Sequence, residues 1–193
     1  MQPNLILIAG PNGAGKTTAA EDLLQGALTV DEFVNADSVA RGLSRFRPEG
    51  VAMEAGRAMI QRLQIVTRQR LNVAFESTLA SRTFAPWIRG LVQGGYTFHL
   101  LYFWLPSPQM AFDRVNERAV LGGHFVSEAI VHRRYHAGLR NFFSLYAPMA
   151  QTWTFFDNAA KPRAVIASGG VGLADSVFNR AVWDSIRKEY SRG

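Results

Sequence analysis

Residues 4–18 read NLILIAGPNGAGKTT, an unbroken apolar run followed by a glycine-rich turn that ends in a lysine and two threonines. Asn4 to Ala9 leans towards β structure, and an apolar run without alternation is expected of a central strand buried on both faces. The next eight residues, Gly10-Pro11-Asn12-Gly13-Ala14-Gly15-Lys16-Thr17, satisfy G-x-x-x-x-G-K-[ST] at every required position. A helix opening at the lysine presents backbone N–H groups and a positive helix end to a phosphate chain. Lys16 is then expected at the β- and γ-phosphates, the Thr17 hydroxyl on Mg²⁺, and the amides of Gly13 to Thr18 around the β-phosphate. Thr18 is the next amide donor, and its hydroxyl serves either packing or function.

Outward from this loop, strands and helices alternate, the pattern of a parallel sheet with helices on both faces. The spacing predicts a helix from Lys16 to about Leu24, a short strand over Glu32 to Asn35, and a long amphipathic helix from Gly50 to Arg70. Asn72 to Glu76 is a third strand, with a helix from about Ala85 to Gln93 after it, and Tyr96 to Leu105 is a fourth. Ser107 then reads as an N-cap with Pro108 at the first helical position. Trp153 to Phe156 and Ala164 to Ala167 read as strands, Ala167-Ser-Gly-Gly-Val171 as a turn, and Ala174 to about Tyr190 as a closing helix. The expected fold class is α/β: a three-layer P-loop NTPase fold, a parallel β-sheet flanked by helices, as a single domain over residues 1–193.

Composition narrows the chemistry. The chain has 193 residues and no cysteine, which excludes disulfides, thiolate metal sites and a cysteine nucleophile. The apolar start is too short and lacks the basic flank of a signal peptide, and no run reaches membrane-spanning length, so a cytoplasmic protein without a membrane partner is expected. Net charge is +6, from 21 basic and 15 acidic residues. Eighteen of the basic residues are arginine, the forked, always-charged partner of phosphate. They are spread along the chain, with the densest pairs at Arg45 and Arg47, Arg68 and Arg70, and Arg133 and Arg134. A nucleic-acid partner is therefore the weaker expectation, and Trp87, Trp104, Trp153 and Trp183 read as core or helix-face residues, not as a stacking stripe.

Several P-loop classes are missing their marks. There is no N-K-x-D and no D-x-x-G, which argues against a regulatory GTPase, and no apolar run ends in the Asp-Glu pair of motor ATPases. What remains are single acids at strand ends, where doubly wound sheets bind ligands. Asp37 stands where a carboxylate can take the proton of an attacking hydroxyl, or where it can cap a helix beginning at Ser38. Glu76 ends the strand expected beside the first, and faces Mg²⁺, holds a substrate hydroxyl, or makes a structural hydrogen bond. Asp157 and Asn158 end a later strand and are expected to shape the loop near the base.

Residues 114–136, RVNERAVLGGHFVSEAIVHRRYH, follow the fourth strand. Arg114 and Arg118 are four apart and share a helix face, Gly122-Gly123 offers a hinge, and Ser127 with Glu128 restarts a helix that bears Arg133 and Arg134. A lid that clamps phosphates is the expectation, with Arg118 and Arg134 first among the contacts. The role of His124, between hinge packing and phosphate contact, is open at this point.

Taken in order, Gly10-Pro-Asn-Gly-Ala-Gly-Lys-Thr-Thr18, Asn35-Ala-Asp37, Phe75-Glu-Ser-Thr-Leu79, Tyr102-Phe-Trp-Leu-Pro-Ser-Pro108, Arg114-Val-Asn-Glu-Arg118, Gly122-Gly-His124, Arg133-Arg-Tyr135 and Phe156-Asp-Asn158 resemble the zeta-toxin-like P-loop kinases. The resemblance implies an ATP- and Mg²⁺-dependent phosphotransferase, acting on a small-molecule hydroxyl such as that of UDP-N-acetylglucosamine. It also implies an antitoxin as protein partner. It makes Lys16 and Thr17 nucleotide and metal ligands, Asp37 the general base, Glu76 a positioning acid, and Arg114, Arg118 and Arg134 phosphate contacts. Two departures stand out: the chain is shorter than the prototypical toxins, and Gly-Gly-His124 occupies the lid turn where an arginine is expected.

Overall fold

A computed structural model describes residues 2–26, 30–43, 52–123 and 125–191; within these, the side chains at 24–26, 37, 40, 41, 43, 52 and 53 are outside the described set. The strands are β1 Asn4–Ala9, β2 Glu32–Val34, β3 Val73–Ser77, β4 Thr97–Trp104, β5 Thr152–Asp157, β6 Ala164–Gly170 and β7 Leu173–Val177. The helices are α1 Lys16–Gly26, α2 Ala36–Leu43, α3 Ala52–Arg68, α4 Phe84–Gln93, α5 Pro108–Val120, α6 Glu128–Asn141 and α7 Arg180–Tyr190. One sheet runs β2-β3-β1-β4-β5-β6-β7. As its composition requires, β1 lies inside this sheet, with Leu5 to Ala9 at most 3% exposed.

The first five strands in this order pair in parallel, whereas β5–β6 and β6–β7 are antiparallel. The expected parallel sheet flanked by helices is thus present, with two antiparallel-paired strands added at one edge. The closing helix is corrected. Leu173 to Val177 is a strand, because the turn through Val171 and Gly172, the latter at φ +75°, sends the chain back along β6 before a helix can start. The helix begins only at Arg180, where the Asn179 side chain accepts a hydrogen bond from Val182 N. Ala167 to Gly170, expected in a turn, belongs to β6, and the turn comes one residue later.

Helices cover both faces. Phe75 packs its ring on Phe84 and Trp87 of α4, while Glu76, next along the strand and so on the opposite face, meets Thr17 at the start of α1. On the α4 side, Tyr102, Phe142, Trp153, Phe155 and Trp183 form one aromatic cluster, with Tyr102 and Phe155 stacked at 4.9 Å. Trp104, Trp153 and Trp183 are buried and Trp87 is half-buried, as expected of core residues. Among the described residues no helix is long and apolar enough to cross a membrane.

Candidate phosphate-binding site

The parallel register brings three strand ends to one level. Ile8 of β1 pairs with Glu76 of β3, and Val34 of β2 pairs with Phe75, so Asn35 follows β2 alongside Glu76. The loop from Gly10 to Gly15 rises from β1 at this level. Gly10, Gly13 and Gly15 all have positive φ, at +143°, +76° and +72°. At Gly13 a Cβ would also come to 2.5 Å from the Ala111 carbonyl oxygen, so the loop is tucked against α5 where a side chain has no room. Positive φ at Gly13 and Gly15, either side of Ala14, curls consecutive amides into a concave ring, the geometry that takes an anion.

Lys16 opens α1, and its Nζ donates to the Pro11 carbonyl at 3.0 Å, so the ammonium folds back across the loop. Thr17 donates through Oγ1 to Glu76 Oε2 at 3.2 Å. Asn35 donates through Nδ2 to Glu76 Oε1 at 2.9 Å, and its Nδ2 also lies 3.5 Å from Thr17 Oγ1. A hydroxyl, a carboxylate and an amide thus meet beside the start of α1. Among the described side chains no group of three or more His, Cys, Asp or Glu converges on a metal position. This donor set suits Mg²⁺ held by one or two protein oxygens together with phosphates and water. The backbone ring, the lysine and this polar corner fit a nucleotide triphosphate with its Mg²⁺.

Two residues brace the loop from the far side of β4. Asn158, just beyond β5, donates Nδ2 to the Ala14 carbonyl at 2.7 Å. Arg114 of α5 donates Nη1 to the Asn158 carbonyl at 2.9 Å and Nη2 to the Ala159 carbonyl at 2.6 Å. Arg114, expected on the phosphates, holds two carbonyls of the 158–159 turn with two of its five N–H donors, and through that turn it braces the phosphate loop.

The stretch 114–136 forms the end of α5, a turn, and most of α6. The second helix is fastened from below: Tyr135 donates its hydroxyl to the Leu105 carbonyl at 2.6 Å, and Asn141 donates Nδ2 to the Leu79 carbonyl at 2.6 Å. At Gly138 a Cβ would stand 2.5 Å from the Thr78 carbonyl. Arg134, one residue before the Tyr135 anchor, reaches Asn12 Oδ1 of the phosphate loop through Nη1 at 3.4 Å. Arg133 is exposed. Arg118 is also exposed, in the last turn of α5, close in sequence to exposed Val120, Leu121 and Phe125. Thr18 is exposed. His124, Arg45, Arg47, Gly50 and Val51 lie outside the described residues.

Asp37 stands in the first turn of α2, and its side chain is outside the described set. The alternative in which it caps a helix from Ser38 is corrected: α2 begins at Ala36, and the cap is Asn35, whose Oδ1 accepts from Ser38 N at 3.3 Å. Asn35 was not foreseen as part of the site on its own account. The legible signal was a capping residue directly after a strand and two positions before the acid.

The family described as an AAA domain (AAA_33) matches residues 5–140. An uncharacterized protein of Haemophilus influenzae is 28% identical over 135 residues, covering 70% of this chain and 94% of that protein. Among solved structures, the AvrRxo1-ORF1:-ORF2 complex with ATP superposes with a TM-score of 0.70 at 17% identity; the match covers 96% of this chain and 63% of that one. The present chain thus spans under two thirds of that neighbour. The PezAT chromosomal toxin-antitoxin system of Streptococcus pneumoniae gives a TM-score of 0.64 at 16% identity, covering 100% of this chain and 80% of that chain. At these identities the structural likeness establishes the fold.

Proposed function

The chain belongs to the AAA_33 family of AAA domains, and from that premise we propose that it is an ATP- and Mg²⁺-dependent kinase acting on a small-molecule hydroxyl. What carries the reading is the convergence on one loop of Lys16, the Thr17–Glu76 pair and, from a distant helix, Arg134. Phosphoryl transfer asks little covalent chemistry of a protein, so catalysis consists of positioning and charge neutralisation. Here the loop amides and Lys16 hold the β- and γ-phosphates. Mg²⁺, when bound, neutralises charge on the phosphates beside Thr17 and Glu76. Arg134 meets the charge that develops as the γ-phosphoryl leaves. Asp37, in the first turn of α2, accepts the acceptor's hydroxyl proton.

The Thr17–Glu76 hydrogen bond supports the metal-side reading of Glu76 over direct contact with the acceptor. For the acceptor, the resemblance to zeta-toxin-like kinases favours a UDP-amino sugar such as UDP-N-acetylglucosamine. The fold shared with a toxin-antitoxin system supports an antitoxin-type partner as part of the same proposal. The test of the mechanism is Asp37→Ala. ATP binding by titration should persist while phosphotransfer falls by about 10²–10⁴-fold, the usual worth of a general base. Unchanged transfer in that variant would remove Asp37 from the role.

A further inference from the structure

We infer that Asn35 is a positioning residue whose single amide sets the Glu76 carboxylate on the metal side of the site and, through its other end, the first turn of the helix that carries Asp37. The inference rests on the kinase reading for what it says about turnover, but not for what it says about metal binding. Asn35 is 6% exposed, one of few buried polar side chains among the described residues. Burying an amide is costly unless both ends are used, and both ends are used here on opposite tasks. Nδ2 donates to Glu76 Oε1 at 2.9 Å, and Oδ1 accepts from Ser38 N at 3.3 Å. The Asn35 carbonyl also accepts from Val39 N at 3.1 Å, beginning the helical ladder.

The carboxylate is held from two sides. Thr17 Oγ1 donates to Oε2, so the carboxylate plane is fixed by a hydroxyl on one oxygen and an amide on the other. A carboxylate held by such partners is less mobile than a free one and is kept ionised, ready for a cation, and loss of an orienting partner weakens metal sites by about 10–100-fold. Asn35 thereby links the two groups to which the proposed transfer assigns roles: Glu76 on the metal side, and the first turn of α2, where Asp37 stands two positions on.

Two substitutions separate these tasks. Asn35→Ser keeps a side-chain oxygen that caps α2 but is too short to reach Glu76, whereas Asn35→Ala loses both. Each is compared with wild type and with Glu76→Gln for thermal midpoint, for Mn²⁺ affinity by electron paramagnetic resonance with a non-hydrolysable ATP analogue, and for kcat and KM. Asn35→Ser should keep the thermal midpoint while Mn²⁺ affinity and kcat each fall about 10-fold or more and KM for ATP stays near wild type. Asn35→Ala should lose about 2–4 °C in addition. Because Asn35 acts through Glu76, the losses in Asn35→Ser/Glu76→Gln should not add. Wild-type Mn²⁺ affinity in Asn35→Ser, or fully additive losses in the double variant, would overturn the inference. Should wild type phosphorylate no acceptor, the kinase reading fails, and the Mn²⁺ comparison still decides the role of Asn35.

Discussion

Arg134 Nη1 stands 3.4 Å from Asn12 Oδ1, joining α6 to the phosphate loop across 122 residues of sequence. The helix that delivers this guanidinium is pinned immediately afterwards by the Tyr135 hydroxyl on the Leu105 carbonyl. The cation is therefore set in place by the fold, in contrast to Arg118, which is exposed at the end of α5. Arg134→Ala is expected to lower kcat by about 10³-fold, the lower range for an arginine that stabilises a transferring phosphoryl group, without moving the thermal midpoint by more than a few degrees. Arg134→Lys should restore little, since a point charge does not reproduce the planar fork. Arg114→Ala should behave differently: it frees the 158–159 turn, so it should raise KM for ATP and lower the thermal midpoint together. Steady-state kinetics and thermal melts on the three variants make the comparison.

Gly138 measures how closely α6 is seated. A Cβ there would stand 2.5 Å from the Thr78 carbonyl oxygen, a backbone atom that cannot swing aside. Alanine recovers about 1 kcal/mol of helix propensity, against about 1–3 kcal/mol for overpacking a filled interior. Overpacking wins. Gly138→Ala is expected to lower stability by up to about 2 kcal/mol in denaturant unfolding and to reduce phosphotransfer, because the same displacement shifts Arg134 away from Asn12.

His99 supplies a dependence on pH that is independent of the active site. Its ring bridges strands, with Nδ1 2.8 Å from Thr152 Oγ1 and Nε2 3.3 Å from Asn4 Oδ1. Burial pushes its pKa below the ordinary imidazole value. The unfolded chain then binds the proton more readily than the folded one. The stability His99 contributes is complete above the unfolded imidazole value, about pH 6.5, and is lost as pH falls from there through the folded value. In urea unfolding from pH 8 to pH 5, the wild type should lose stability relative to His99→Gln on the acid side. Parallel curves would contradict this.

The phosphate loop was legible because its chemistry is local: glycines, lysine and threonine act within eight consecutive residues after one buried strand. The position of β3 beside β1, and with it Glu76 near the loop, was expected from the likeness to P-loop proteins and is what the pairing of Ile8 with Glu76 shows. Asn35 was missed as a site residue because its importance lies in Glu76, 41 residues away, and an isolated asparagine after a strand signals only a cap. Arg114 shares a helix face with Arg118, but periodicity cannot say that it would also hold two carbonyls beyond β5, because that contact joins segments 44 and 45 residues apart. Leu173 to Val177 was read as helix for a related reason. Its strand state comes from pairing with β6, a tertiary contact that overrides weak local preference.

The central claim is phosphoryl transfer at this loop, and the direct measurement is mass-resolved incubation of the purified chain with ATP, Mg²⁺ and a metabolite mixture that includes UDP-sugars, alongside Lys16→Ala. The account predicts ADP together with one new product heavier by a single phosphate in the wild type, and loss of both by about 10²-fold or more in Lys16→Ala. Bound ATP that is never consumed, or product formed equally by Lys16→Ala, would contradict it.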